Sequence, residues 1–213
     1  MKYPIKQFSL KSFPEGSVAQ FFGENPSLYS KVCTPDGVCL TGGHNGWDIV
    51  APWGTPIFAV EGGKVVEVKD TPSGYGKHVR ILCGENEWTY GHLSRIDCVV
   101  GQWVNGGQQI ALMGNTGFVV SGATPYWKYN PYAGTHLHLG LRKFKVWEGG
   151  TYTIQYSSGD RGTILNYSNG FMGSVDFTFD ISVVDEITQK QLTIISLANQ
   201  VILLLKQLIS KKI

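Results

Sequence analysis

The stretch GTHLHLGL, residues Gly134 to Leu141, sets two histidines one residue apart inside an apolar run. In a β-strand successive side chains point to opposite faces, so His136 and His138 share one face while Leu137, Leu139 and Leu141 share the other. The leucines then belong to a core and the imidazoles to a site. A histidine pair also suits a hydrogen-bonded strand edge, so the rest of the chain has to decide. Upstream, GGHNGWDIVAPWGTP separates His44 from Asp48 by Asn-Gly-Trp. Helical spacing would put both on one face, but Gly42, Gly43 and Gly46 argue against a helix, and Asp48 opens an apolar, strand-like run. A Gly-rich bend can aim both side chains at one point. Two imidazoles and one carboxylate are the ligand set of a catalytic zinc with its fourth position left for water, whereas a structural zinc more often takes all four ligands from the protein. WTYGHLS adds another imidazole: alternation places Trp88, Tyr90 and His92 on one strand face, so His92 can project beside the metal. His78, in GKHVRI, is left without a role. With no His-Glu-x-x-His in the chain, the pattern is not that of a zincin with a glutamate base on a helix.

The elements that must hold these residues read as strands. TPIFAV, KVVEVKD, KHVRILC, EWTYGHL and THLHLGL are short, β-branched or aromatic, and separated by Gly-rich turns. The pattern predicts a mainly β, antiparallel domain. At 213 residues with 42% hydrophobic content the chain can bury a proper core. A formal charge of +2, with no basic run beyond the terminal SKKI, gives no footprint for nucleic acid. The N-terminal MKYPIKQFSLKSFPEG lacks an apolar h-region, so no signal peptide is expected. Four cysteines show no C-x-x-C spacing. Cys33 and Cys39 flank a Pro-Asp-Gly turn that brings them together if its flanks pair, as a disulfide in an oxidising compartment or as thiols in a reducing one; pairing of Cys83 with Cys98 is left open. From Ile187 the tail has no Gly or Pro and spaces its apolar residues near a 3.5-residue repeat, predicting a C-terminal amphipathic helix. Gln200, Lys206 and Gln207 interrupt it, short of the ~20 apolar residues of a spanning segment. Packing on its own domain, self-association and membrane-surface contact are its three candidate roles.

HNGWD, GTP-x-x-AVEGGKVVEV, GYGKHVRI, TYGHLS, VNGGQQIALMGNTG and THLHLGL follow the order and spacing of the lysostaphin and LytM type zinc metallopeptidases, and the chain resembles this M23 family from about Thr41 to Arg142. The resemblance implies an antiparallel β-sheet, barrel-sandwich fold. It implies one zinc ion held by His44, Asp48 and His138, with His92 and His136 as the two catalytic histidines. It further implies hydrolysis of peptide bonds in bacterial peptidoglycan, in cross-bridges or stem peptides. On this reading residues 1–40 lead into the domain, 41–142 form the peptidase core, 143–184 extend its β structure and 185–213 form the helix.

The chain departs from the family between GNTG and GTHLH, where an aromatic insertion spans residues 118–133. Its Tyr126, Trp127 and Tyr129, with Trp88 and Tyr90, are the expected substrate-binding residues, the insertion forming one groove wall. A second departure is the missing tyrosine shortly before the first ligand; the nearest is Tyr29. Alternatives are a non-catalytic wall-binding or virion-associated module on the same fold, and a D-alanyl carboxypeptidase of another zinc family, which would leave YGHL unexplained. Without a signal peptide, the expected settings are a phage lysin released by another route or a virion component.

Overall fold

Alternating apolar and polar residues build the sheet that carries the candidate site. The computed structural model describes residues 1–6, 17–121, 124–125, 128, 130–146 and 152–179. The expected helix at 185–213 and the side chains of Tyr126, Trp127 and Tyr129 lie outside them. The chain divides into two compact units, Met1–Phe177 and Thr178–Ile213, and the first holds all that follows.

In chain order the elements are β1 (Ser17–Gln20), the short helix α1 (Pro26–Tyr29), β2 (Trp47–Val50), β3 (Pro56–Phe58), β4 (Gly63–Asp70), β5 (Lys77–Cys83), β6 (Asn86–Gly91) and β7 (Leu93–Ile96). They continue with β8 (Trp103–Val104), β9 (Gln109–Met113), β10 (Val120–Ser121), β11 (Thr124–Pro125), β12 (Leu137–Val146), β13 (Thr153–Gln155), β14 (Arg161–Ile164) and β15 (Ser174–Val175). The main sheet runs β1-β2-β12-β6-β5-β4-β8, and a second runs β3-β9-β7. Every pairing in both is antiparallel, as the alternation predicted.

Register assigns one face of the main sheet to the core. Trp47, Leu139, Tyr90 and Val79 stand side by side across β2, β12, β6 and β5, and Leu141, Trp88, Ile81 and Val65 form the next row. All eight are buried, as are Ile57, Leu93, Ile110 and Met113 around the second sheet. Each fully buried side chain of this size contributes about 1.5–3 kcal/mol.

The other face is polar. Asp48 and Gly91 flank His138, the next row is Gly140, Thr89, Arg80 and Glu67, and Arg142 stands beside Glu87 beyond them. Farther along β12 Phe144 packs with Val66, Tyr156 and Ile164, a small cluster where β13 and β14 meet the sheet. A register shift between Val65 and Glu67 lets Val65 face the main core while Val66 joins this cluster. The imidazoles of His136 and His138 thus have a charged, largely buried surface beside them. Cys33 and Cys39 are joined by a disulfide, and Cys83 and Cys98 are free. No helix among the described residues is long and apolar enough to cross a membrane.

Candidate active site

Three chain segments converge at one end of the polar face. Asp48 lies on β2 directly opposite His138 on β12, so sheet register alone places the carboxylate against that imidazole. His44 sits in the bend before β2, held by its N–H donating to the Glu24 carbonyl at 2.9 Å. Two glycines let the bend pass so close. A Cβ on Gly46 would lie 2.5 Å from the Leu139 carbonyl oxygen and 2.8 Å from the His138 ring, and Gly43 has φ +115°.

The result is a triangle: His44 Nε2, Asp48 Oδ1 and His138 Nδ1 lie 3.1 Å from one another. His44 and His138 are buried. The opposite nitrogen of His44, Nδ1, faces the Phe21 carbonyl at 3.3 Å, so it carries the proton and leaves Nε2 as a lone pair. A carboxylate is acceptor-only as well. Such acceptors pointing at each other are unfavourable unless a cation or proton lies between them. Two imidazoles with one carboxylate suit zinc and are too nitrogen-rich for magnesium or calcium, so the donor set fits the expected ion. Burial would raise the Asp48 carboxyl, but the nearby His136 and the imidazoles of His138 and His44 around it hold it well below the usual carboxylate range.

Beside the triangle stand the two other imidazoles. His136 enters β12 through a bridge to Gly114, and its Nε2 is 3.6 Å from Asp48 Oδ2. Its Nδ1 faces its neighbour carbonyl, Gly134, at 2.7 Å. His92 takes a left-handed backbone, φ 61°, in the step between β6 and β7. Its Nδ1 faces the Thr116 carbonyl at 2.8 Å, and its ring centroid is 4.6 Å from that of His136. Burial, then the adjoining His136 and His138, push the His92 imidazole well below its ordinary pKa. It is therefore neutral near pH 7, with Nε2 free to accept a proton.

The left-handed turn at His92 also corrects an expectation. Strict alternation would put His92 with Trp88 and Tyr90, but the positive φ ends the alternation and turns the imidazole to the site. Trp88 and Tyr90 face the core instead, at most 1% exposed, with Trp88 Nε1 donating to Glu61 Oε2 and Tyr90 Oη accepting from the Val60 N–H. Neither can touch a substrate. The insertion's described aromatics, Phe118 and Tyr132, are exposed.

Two tyrosines to which the sequence reading gave no role lie at the site. Tyr75, inside GYGKHVRI, packs its ring 5.0 Å from that of His138, and its hydroxyl accepts from Asn45 Nδ2 at 2.9 Å. Tyr29 lies with its ring 5.2 Å from His44 and donates to Gln20 Oε1. His78 is buried on the polar face, its Nε2 3.3 Å from Glu67 Oε1.

The chain is similar in sequence to known peptidases. The chain is 39% identical over 99 residues to peptidoglycan DD-endopeptidase ShyA of Vibrio cholerae, covering 46% of this chain and 20% of the relative. It is 30% identical over 132 residues to endolysin 2638A of Staphylococcus phage 2638A, covering 61% of this chain and 24% of the relative. The crystallised catalytic domain of the prophage-encoded M23 protein EnpA from Enterococcus faecalis shares 31% identity with a TM-score of 0.45, covering 59% of this chain and 79% of that one. The matches span 30% or less of the curated relatives' length. A model of peptidase family M23 matches residues 42–152, just over half the chain, and the chain belongs to that family.

Proposed function

We propose that the protein is a zinc metalloendopeptidase that hydrolyses peptide bonds of bacterial peptidoglycan. The observation that carries the reading is the triangle of His44 Nε2, Asp48 Oδ1 and His138 Nδ1 with two further imidazoles beside it. A zinc ion bound there supplies Lewis acidity, lowering the pKa of a water toward ~7 and polarising a carbonyl. The chain's own residues handle the protons. His92, held neutral with its Nδ1–H committed to Thr116, accepts a proton at Nε2 from the attacking water. His136, with Nε2 near Asp48 Oδ2 and Nδ1 on the Gly134 carbonyl, is placed to hydrogen-bond the developing oxyanion or the leaving amine.

The substrate class is supported by the relative named a peptidoglycan DD-endopeptidase. The resemblance to an endolysin supports action at the bacterial wall, as a phage lysin or virion component. The insertion at 118–133 is read as a groove wall that binds the peptide; deleting residues 124–132 should change wall preference while zinc stays bound.

The test is incubation of zinc-loaded and chelated protein with peptidoglycans of different bridge chemistry, with new amino termini read by mass spectrometry. Zinc-dependent termini, abolished by His138→Ala and by His136→Ala, are the expected result. Zinc-loaded protein that releases no termini from any wall type would overturn the reading.

A further inference from the structure

Two turns beside the site each present an aromatic ring at the tip, where turns ordinarily carry polar residues. Trp53 is 47% exposed in the turn between β2 and β3, closed by the Thr55 N–H and Oγ1 on the Pro52 carbonyl. Tyr132 is 60% exposed in the turn before His136. That turn is pinned: the Tyr132 N–H donates to Asn130 Oδ1, and buried Asn115 donates through Nδ2 to the carbonyls of Pro131 and Ala133, all at 2.9 Å. The rings meet with centroids 5.4 Å apart and planes at 62°, forming a corner.

Backbone pairing ties this corner to the site. The Gly54 N–H donates to the Met113 carbonyl and the Met113 N–H to that of Thr55, while the next carbonyl, Gly114, accepts from the His136 N–H. The turn of Trp53 and the backbone of His136 thus flank one strand end, two strand spacings or roughly 10 Å apart. An extended peptide covers that in about three residues at ~3.3 Å each.

From this geometry we infer that Trp53 and Tyr132 form a saccharide subsite, holding a hexosamine ring of the glycan strand whose peptide is cleaved at the histidines. The inference rests on the peptidoglycan reading of the site. A pyranose presents a flat C–H face, which lies on one ring, and an edge that meets the other; its hydroxyl rim stays in water. Rigid rings on pinned turns lose little side-chain entropy when a ligand arrives. An aliphatic peptide side chain would be content with one ring, whereas a corner of two fits the larger face of a sugar.

The test compares zinc-loaded wild type, Trp53→Ala and Tyr132→Ala on a glycan-bearing peptide and on the same peptide freed of glycan, and titrates each protein with peptide-free glycan oligomers by isothermal titration calorimetry. Both variants should keep the wild-type circular dichroism and zinc content. Each should raise KM on the glycan-bearing substrate by roughly five- to tenfold, the scale of one aromatic contact, and Trp53→Ala, which lies outside the insertion, should leave kcat/KM on the free peptide unchanged. Wild type should bind the glycan oligomers and Trp53→Ala should not. Equal losses on both substrates would assign the corner to the peptide groove and overturn the inference, as would cleavage indifferent to the glycan. Glycan binding lost in Trp53→Ala, from a protein that cleaves neither substrate, would support the subsite while overturning the peptidase reading.

Discussion

Replacing Glu67 with glutamine tests how the charged half of the polar face is held together. The Glu67 carboxylate is buried, with His78 Nε2 and Arg80 Nη1 each 3.3 Å from Oε1 and Lys69 bridged to Oε2. Burial alone would raise its pKa, but the hydrogen bond from His78, the Arg80 charge and Lys69 outweigh it and bring it from 4.5 to about 2. The folded value lies below the unfolded one, so the native state binds fewer protons. The stabilisation is therefore full above about pH 4.5 and is lost as pH falls through about 2. At about 1.4 kcal/mol per pH unit, the depression corresponds to about 3 kcal/mol for a group this well buried. Urea unfolding of wild type and Glu67→Gln should show a gap of about that size at pH 7, constant down to pH 5 and closing between about pH 4.5 and 2. Taking the difference between the two proteins removes losses common to both, zinc release at low pH included. A gap below about 1 kcal/mol at pH 7, or one that stays flat to pH 2.5, would refute the reasoning.

Two further outcomes follow from the metal triangle. Chelation should lower the unfolding temperature, since zinc at a hundredfold excess over its Kd adds about 2.7 kcal/mol to the folded state; Asp48→Ala should abolish the zinc dependence in thermal scans, and a variant that keeps it would exclude Asp48 as a ligand. Gly46→Ala forces a Cβ to 2.5 Å from the Leu139 carbonyl, so zinc affinity by chelator competition should fall at least about tenfold, as when the support of a ligand is disturbed; wild-type affinity would show the bend has room to spare.

The fold was legible because its signals are local. Strand alternation put Leu137, Leu139 and Leu141 in the core and left His138 on the other face, as the register against Trp47 and Asp48 shows. The same rule misplaced Trp88 and Tyr90, because it has no term for a single left-handed residue. His92 adopts one without being glycine, and its N–H on the Tyr75 carbonyl at 2.7 Å shows that tertiary contacts impose it. The charged rows of Glu67, Arg80, Glu87 and Arg142 were hidden for a related reason. In sequence each is an ordinary polar residue of an exposed strand face, and only the pairing of β4, β5, β6 and β12 makes them neighbours.

What sequence reading could least supply is the orientation of the imidazoles. His44, His92 and His136 each set Nδ1 on a backbone carbonyl, from Phe21, Thr116 and Gly134, and each thereby turns Nε2 into the site. A carbonyl belongs to every residue, so no side-chain pattern announces it; Phe21 lies 23 positions before the histidine it orients. His138 is the exception: its Nδ1 joins the triangle and its Nε2 is buried with no hydrogen-bond partner among the described residues. Sheet register takes the place of that partner, since β12 is paired on both sides, with β2 and β6, across His138 itself. The strand fixes this ring, and loop carbonyls fix the other three. The site is therefore rigid where the sheet passes through it and depends elsewhere on loops held by the bends at Gly43 and Gly46 and the turn at Asn115.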